Sequence, residues 1–273
     1  MRPFRPALFT MTVTVLPPDT RPAVVLLHSS MSSRSQWNAL CAQLEPLFRC
    51  LAVDLLGYGK SPFPADVAGA YTLSHEVDAV NAALAAHLQP GEAFHLVGHS
   101  YGGATALRLA RTLRARVLSL TLFEPVAFHL LPVNDPARQE IEAVVARIHA
   151  TSTDHDATRI FLDYWNGAGA FDAMPAALQQ RFSAQIAKVK LDFEALLGEP
   201  ATLTALATLD LPALVLSGRD SPLSTRRLAA QLAAALPNAS ATQTSGGHMG
   251  PISHAADVNP HIAAFLSGVA IEA

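Results

Sequence analysis

The chain has 273 residues, half of them hydrophobic and only 15% charged, with a formal net charge of −3. Soluble proteins carry about 25% charged residues, so such a chain is either a membrane protein or one with a large core. No apolar run approaches the roughly 20 residues that a spanning helix needs, and no cluster of Lys and Arg offers a footprint for nucleic acid; the expectation is a soluble protein with neither membrane nor nucleic acid as partner.

Taken in chain order, residues 1–6 are basic in character, and Thr12, Val13, Thr14 and Val15 alternate as a strand and do not form the apolar core of a leader. This predicts a cytoplasmic protein. Residues 24–27 form an apolar run that ends at His28, and residues 51–53 form another that ends at Asp54. The two cysteines, Cys41 and Cys50, make no CxxC pair, so neither a disulfide framework nor a zinc site is expected. Free thiols suit a reducing compartment. Leu73, Val77, Val80, Leu84 and Leu88 share one helix face. Residues 94–97 are strand-like and stop at Gly98; residues 105–113 then read as a helix, and residues 117–123 as a strand that stops at Glu124-Pro125.

The rhythm breaks after Phe123. Up to Ala213 there is no convincing strand, only helical spacing: Ile141, Val144, Val145, Ile148; then Ile160, Phe161, Tyr164, Trp165; then Leu178, Phe182, Ile186, Val189. An interval this long exceeds any plain connection and reads as a helical insertion. Strand 213–216, helix 225–236, strand 239–244 and a last helix with Ile262, Phe265 and Leu266, stopping near Gly268, complete the pattern. Short apolar runs buried on both faces and alternating with helices predict an α/β fold with a mostly parallel central sheet flanked by helices. The division is 1–127 and 207–273 for the core, with 128–206 as a helical cap inserted before the strand expected to carry the catalytic acid.

The strongest chemical signal is Gly98-His99-Ser100-Tyr101-Gly102. It fits G-x-S-x-G, placed between a strand and a helix, as a nucleophile elbow requires. The sharp turn lifts a serine hydroxyl clear of the sheet, and glycines leave room for it. A serine alcohol needs a base. Of eleven histidines, His248 in Gly246-Gly247-His248-Met249-Gly250 lies on a loop after the last strand, free to lean over the sheet. His75, His87, His149 and His155 read as solvated, His95 as a satisfied core residue and His99 as structural. His254 and His261 share a helix face at a spacing too wide for a metal pair, and Asp154-His155-Asp156 reads as a helix start.

The base needs an acid to fix its tautomer. Asp220, in Ser217-Gly218-Arg219-Asp220 beyond strand 213–216, gives the chain order Ser, Asp, His expected with this elbow. Glu124 is the alternative acid, at the end of the preceding strand; Asp210 lies at the wrong end of its strand. The oxyanion donors are expected to be the backbone N–H groups of Tyr101 and Ser30.

Together His28-Ser29-Ser30, Asp54-Leu55-Leu56-Gly57-Tyr58-Gly59-Lys60-Ser61, the elbow at Ser100, Gly218-Arg219-Asp220 and Gly247-His248 resemble the α/β-hydrolase superfamily, serine-nucleophile branch with a helical cap. The similarity spans nearly the whole chain except the cap. It departs at Ser29, where relatives carry Gly, which implies a stiffer oxyanion loop. Relatives that open epoxides or remove halides carry Asp at the elbow, so Ser100 implies attack on a carbonyl without cofactor or metal. The expected function is a carboxylesterase-like serine hydrolase acting on a small, apolar acyl substrate through an acyl-enzyme. The alternatives are a carbon–carbon bond hydrolase or perhydrolase-type enzyme with the same triad, and a receptor-like ligand-binding module with slow or no turnover. Met31, Phe128, Phe161, Trp165, Phe171 and Met249 are candidates for the pocket wall.

Overall fold

The computed structural model describes residues 20–64 and 69–272. The strand expected at 12–15 lies outside them. In chain order the elements are β1 (Ala23–Leu27), α1 (Asn38–Leu44), β2 (Arg49–Val53), α2 (Leu73–Ala85), β3 (Phe94–His99), α3 (Tyr101–Thr112) and β4 (Val117–Phe123). They continue with α4 (Pro136–Ala150), α5 (Asp154–Asn166), α6 (Ala176–Ser183), α7 (Ile186–Leu197), α8 (Leu203–Leu206), β5 (Ala213–Gly218), α9 (Leu223–Ala235), β6 (Ala239–Thr244), α10 (Gly250–Ser253) and α11 (Ala255–Glu272).

Six strands form one sheet in the order β2-β1-β3-β4-β5-β6, with every neighbouring pair parallel. Side chains alternate across a strand, and here both sides are covered. Val24 and Leu26 pack with Trp37, Leu40, Leu44, Val258, Ile262 and Leu266, on the side of α1 and α11. Val25 and Leu27 belong to the opposite cluster with Leu96, Leu120, Leu122 and Val215, under α2, α3 and α9. Each such Val or Leu contributes about 1.5–3 kcal/mol by leaving water. That is why the strands read as continuous apolar runs and why the chain carries little charge. The chain leaves β1 for the edge strand β2 and returns past it to β3. That reversal opens a crevice at the carboxyl ends of the strands.

Two boundaries differ from expectation. Helix α3 begins at Tyr101, so Gly102 and Gly103 are helical and are not part of a turn. A Cβ at Gly102 would lie 2.4 Å from the His28 carbonyl oxygen, so the missing side chain lets α3 pack onto the end of β1. Helix α11 continues past Gly268 to Glu272; one interior glycine costs about 1 kcal/mol, too little to stop a helix anchored by Val258, Ile262 and Leu266. His254 lies between α10 and α11, not on one helix with His261.

Among the described residues no strand occurs between β4 and β5, and α4 to α8 fill that interval. Asp135 accepts a hydrogen bond from the Ala137 N–H, with Pro136 in the first turn of α4; Thr153 does the same for the Asp156 N–H at α5. Asp154 and Asp156 thus stand in the first turn of α5, where they complement the helix dipole. Ile141, Val144, Val145 and Ile148 are buried as their spacing predicts, whereas α6 buries no residue fully and its Phe182 faces the cavity described below. No helix among the described residues is long and apolar enough to cross a membrane.

Candidate active site

Three chain segments converge at the carboxyl ends of β3, β4 and β6. Ser100 follows β3 directly with φ 56° and ψ −123°, a left-handed conformation that is strained for a residue with a Cβ. Its surroundings hold it there. The Ser100 N–H donates to the Phe123 carbonyl at 3.0 Å, and the N–H groups of Gly103 and Ala104 donate to the Ser100 carbonyl. The turn closes so tightly that a Cβ on Gly98 would meet the Gly102 carbonyl oxygen at 2.5 Å.

His248 lies in the loop between β6 and α10 and is almost wholly buried. Its Nδ1 is 2.7 Å from Glu124 Oε2, and its Nε2 is 2.8 Å from Ser100 Oγ. A carboxylate only accepts, so Nδ1 carries the ring hydrogen and donates to Glu124. Nε2 is then left to accept the Ser100 hydroxyl hydrogen. Glu124 comes immediately after β4, at φ 41°, and its side chain is fully buried. Its N–H donates to the Leu216 carbonyl at 3.0 Å, and its Oε1 accepts the Gly218 N–H at 2.8 Å.

The expectation for Asp220 is therefore corrected. Asp220 is exposed, and its N–H donates to the Gly246 carbonyl; the carboxylate on His248 belongs to Glu124. The reason is geometric. Strand β5 runs beside β4 and closes against the loop after β6. A side chain at the end of β4 already fills the space beneath the imidazole, with the Gly218 N–H of β5 as its second anchor.

The ring of Trp165 from α5 stacks on His248 at a centroid distance of 4.0 Å and 29°. The His99 ring lies 5.2 Å from the His248 ring, and its Nε2 is 2.8 Å from the His248 carbonyl oxygen. Burial, then the nearby His248, pushes the His99 pKa well below the usual histidine value. His99 is thus neutral and donates through Nε2 to the backbone of the loop, which accords with its structural reading.

The loop after β1 is fixed by His28, whose Nε2 accepts the Leu55 N–H at 3.0 Å and whose Nδ1 donates to the Ser29 carbonyl. Burial depresses its pKa to about 4. Ser29 donates both its N–H and its hydroxyl to Gln36 Oε1. Its N–H is thereby used, and Ser29 is held firmly where relatives were expected to have Gly.

A cavity of about 610 Å³ opens onto Ser100 and His248. Met31, Phe161, Trp165 and Met249 line it, together with Ser30, Leu162, Met174, Phe182 and Ile252; Asn166, Arg181 and Gln185 add polar wall. Phe128 and Phe171 do not line it. Both are fully buried, Phe171 edge-on to His155. The stacking of Trp165 on His248 was missed by sequence reasoning, because helical spacing assigns a tryptophan to a buried face without saying what it meets. A buried cluster of Glu76, Lys188 and Asp192 was also missed; only the spacing of Lys188 and Asp192, one helical turn apart, hints at it.

Comparison with known proteins agrees with this architecture. Residues 24–261 match the model of the alpha/beta hydrolase family. The chain is 27% identical over 227 residues to 3-oxoadipate enol-lactonase 1 of Acinetobacter baylyi, covering 79% of this chain and 77% of that protein. It is 37% identical over 107 residues to probable lysophospholipase BODYGUARD 1 of Arabidopsis thaliana, which takes in 37% of this chain and only 22% of the relative. Among solved structures, the enol-lactonase of Burkholderia xenovorans superposes with a TM-score of 0.73 at 23% identity, covering 91% of this chain and 92% of that one. A thermophilic esterase of Thermogutta terrifontis superposes with a TM-score of 0.69 at 25% identity, covering 92% and 91%. Fold, elbow and family match agree, and the chain belongs to the alpha/beta hydrolase family.

Proposed function

We propose that the protein is a serine hydrolase that cleaves a carboxylic ester or lactone through an acyl-enzyme formed on Ser100. The reading is carried by the unbroken line from Ser100 Oγ to His248 Nε2 at 2.8 Å and from His248 Nδ1 to Glu124 Oε2 at 2.7 Å. Ser100 Oγ attacks the carbonyl carbon as His248 Nε2 takes its proton. The imidazolium that forms is stabilised by the Glu124 carboxylate at Nδ1. The N–H groups of Tyr101 and Ser30 receive the developing oxyanion, aided by the N-terminus of α3. His248 then gives its proton to the leaving oxygen. Water, activated by the same histidine, attacks the acyl carbonyl and returns the enzyme.

The cavity supports an apolar acyl substrate. Phe161, Leu162, Trp165, Met31, Met174 and Met249 suit an apolar acyl chain, and about 610 Å³ accommodates a medium-sized molecule. Relatives named as a probable lysophospholipase and an enol-lactonase support an acyl C–O bond as the one cleaved. Segment 128–206 acts as the cap over this site, with α5 supplying Phe161, Leu162 and Trp165 to its apolar wall. The free thiols of Cys41 and Cys50 fit a cytoplasmic enzyme.

The test is labelling by a fluorophosphonate and turnover of nitrophenyl esters and lactones. Wild-type protein should label and turn over, and Ser100→Ala should do neither. Full turnover by Ser100→Ala refutes the nucleophile. Labelling without turnover on any ester or lactone supports the binding-module alternative, and faster cleavage of a diketone supports the carbon–carbon hydrolase.

A further inference from the structure

A second polar centre lies buried where helix α7 meets α2 and the start of α3, and no side chain of it bonds Ser100, His248 or Glu124 among the described residues. Lys188 of α7 is wholly buried. Its Nζ bonds Glu76 Oε1 of α2 at 2.9 Å and also bonds Asp192 Oδ1, one turn along α7. Three tyrosine rings surround the ammonium, those of Tyr58, Tyr71 and Tyr101 at 5.0, 5.0 and 4.7 Å. Burial alone depresses the Lys188 pKa, but Asp192 and Glu76 outweigh it and hold the pKa above the ordinary lysine value. Lys188 is therefore a cation.

The two carboxylates reach toward the active site by different routes. Asp192 Oδ2 accepts the hydroxyl of Ser30 at 2.6 Å and that of Tyr58 at 2.5 Å. Glu76 Oε1 accepts the hydroxyl of Tyr101 at 3.2 Å and that of Tyr71 at 2.7 Å, while its Oε2 accepts the Leu56 N–H. Ser30 and Tyr101 are the two residues whose N–H groups are assigned to the oxyanion. Both therefore have their side chains tied to carboxylates that one ammonium joins.

We propose that Asp192, Lys188 and Glu76 are positioning residues that set the spacing between the two oxyanion donors, so that helix α7 of the insertion completes the oxyanion hole from outside it. This rests on the serine-hydrolase reading above. None of the three need touch the substrate. The donors lie on separate segments, the loop after β1 and the start of α3, and a hole made of two N–H groups works only if they converge on one point. A rigid, charge-paired centre out of water supplies that constraint, because its geometry is costly to distort. Ser30 is the more dependent of the two, since its backbone belongs to a loop and Tyr101 is held by its helix.

The decisive experiment is a double-mutant cycle on Ser30→Ala and Asp192→Asn, with rates expressed per active site titrated by fluorophosphonate. Ser30→Ala keeps the backbone N–H and removes only the tether. Asp192→Asn presents an amide donor either to Lys188 or to the two hydroxyls. Each is expected to lower kcat about ten-fold with KM within two-fold, and the double variant should be no slower than Asp192→Asn alone. Ser30→Ala is a small truncation in a loop, so it reports even if Asp192→Asn folds poorly. An unchanged kcat in Ser30→Ala overturns the proposal. So do losses in the two variants that multiply, or a fall in melting temperature with kcat per titrated site intact. Turnover surviving in Ser100→Ala would instead defeat the hydrolase reading itself, so the two failures are distinguishable.

Discussion

Replacing Glu124 by Gln keeps the shape of the side chain and removes its charge. The Gly218 N–H needs an acceptor, so the amide oxygen must stay where Oε1 is and the NH2 group then faces His248 Nδ1. That arrangement forces the ring hydrogen onto Nε2, the atom that must accept from Ser100. The magnitude follows from the charge lost. Imidazolium and carboxylate centres joined by a buried bond sit about 4 Å apart, and at an effective dielectric of about 20 their attraction is ~4 kcal/mol. Since each 1.36 kcal/mol is ten-fold in rate, kcat should fall about a thousand-fold in Glu124→Gln. Asp220→Asn alters an exposed side chain away from His248, and such changes stay within about 0.5 kcal/mol, or roughly two-fold. The assay is kcat on a nitrophenyl ester for both variants, with folding checked by circular dichroism. A larger loss at Asp220→Asn, or a loss under ten-fold at Glu124→Gln, would refute the assignment of Glu124.

Trp165→Ala removes the ring stacked on His248; short acyl esters should lose about ten-fold in kcat/KM, the size of one aromatic stacking contact, while bulky acyl esters that refill the space lose less, as a chain-length series would read. Gly102→Ala places a Cβ 2.4 Å from the His28 carbonyl and 2.5 Å from that of Leu27; both are backbone atoms, so overpacking of about 3 kcal/mol should appear as a lower denaturant midpoint. His28, fully buried and neutral, has its pKa lowered by burial from 6.5 to about 4. The unfolded chain therefore binds the extra proton between those values. Stability is complete above pH 6.5 and falls as the pH drops toward 4, by ~3 kcal/mol from this residue; a melting temperature that is flat from pH 7 to 4 would contradict it.

The parts of the fold set by periodicity were legible. The apolar runs at 24–27, 94–97, 117–123 and 213–216 all became strands of one parallel sheet, as short apolar runs between helices do, and the more polar stretch 239–244 became its edge strand. The meeting of Ser100 and His248 was legible because the elbow has a strict steric grammar and a late loop can lean over it. Which carboxylate meets His248 was not, because two carboxylates stand at the ends of neighbouring strands and chain order favours Asp220. What decides is the side-by-side placement of β4 and β5, a tertiary fact. The pocket wall was half legible for a related reason. Phe128, Phe161, Trp165 and Phe171 are all buried, and only packing separates those that face Ser100 from those that face other helices.

Glu124 nevertheless left a physical signal. A carboxylate that directly follows an apolar strand and precedes Pro125 has no route to water, and burying an unpaired charge costs several kcal/mol. Such a residue must have a partner, and the partner must be polar and buried too. The same reasoning reaches Glu76, Lys188, Asp192 and Glu199, each buried and each paired: Glu76 and Asp192 with Lys188, Glu199 with Nη1 of Arg108, which donates to both carboxylate oxygens, and with Nη1 of Arg111. In a chain with only 15% charged residues, charges are sparse enough that each buried one stands out. They do not scatter through the core. Lys188 and Glu199 lie in segment 128–206 and pair with Glu76 of α2 and with Arg108 and Arg111 of α3, while Asp192 pairs with Lys188 on its own helix. Apolar contacts between α7 and the sheet would tolerate sliding, whereas buried ion pairs with defined partners fix one register. The charged seam therefore specifies how the insertion sits, and through Ser30 and Tyr101 that placement reaches the site where the oxyanion would form.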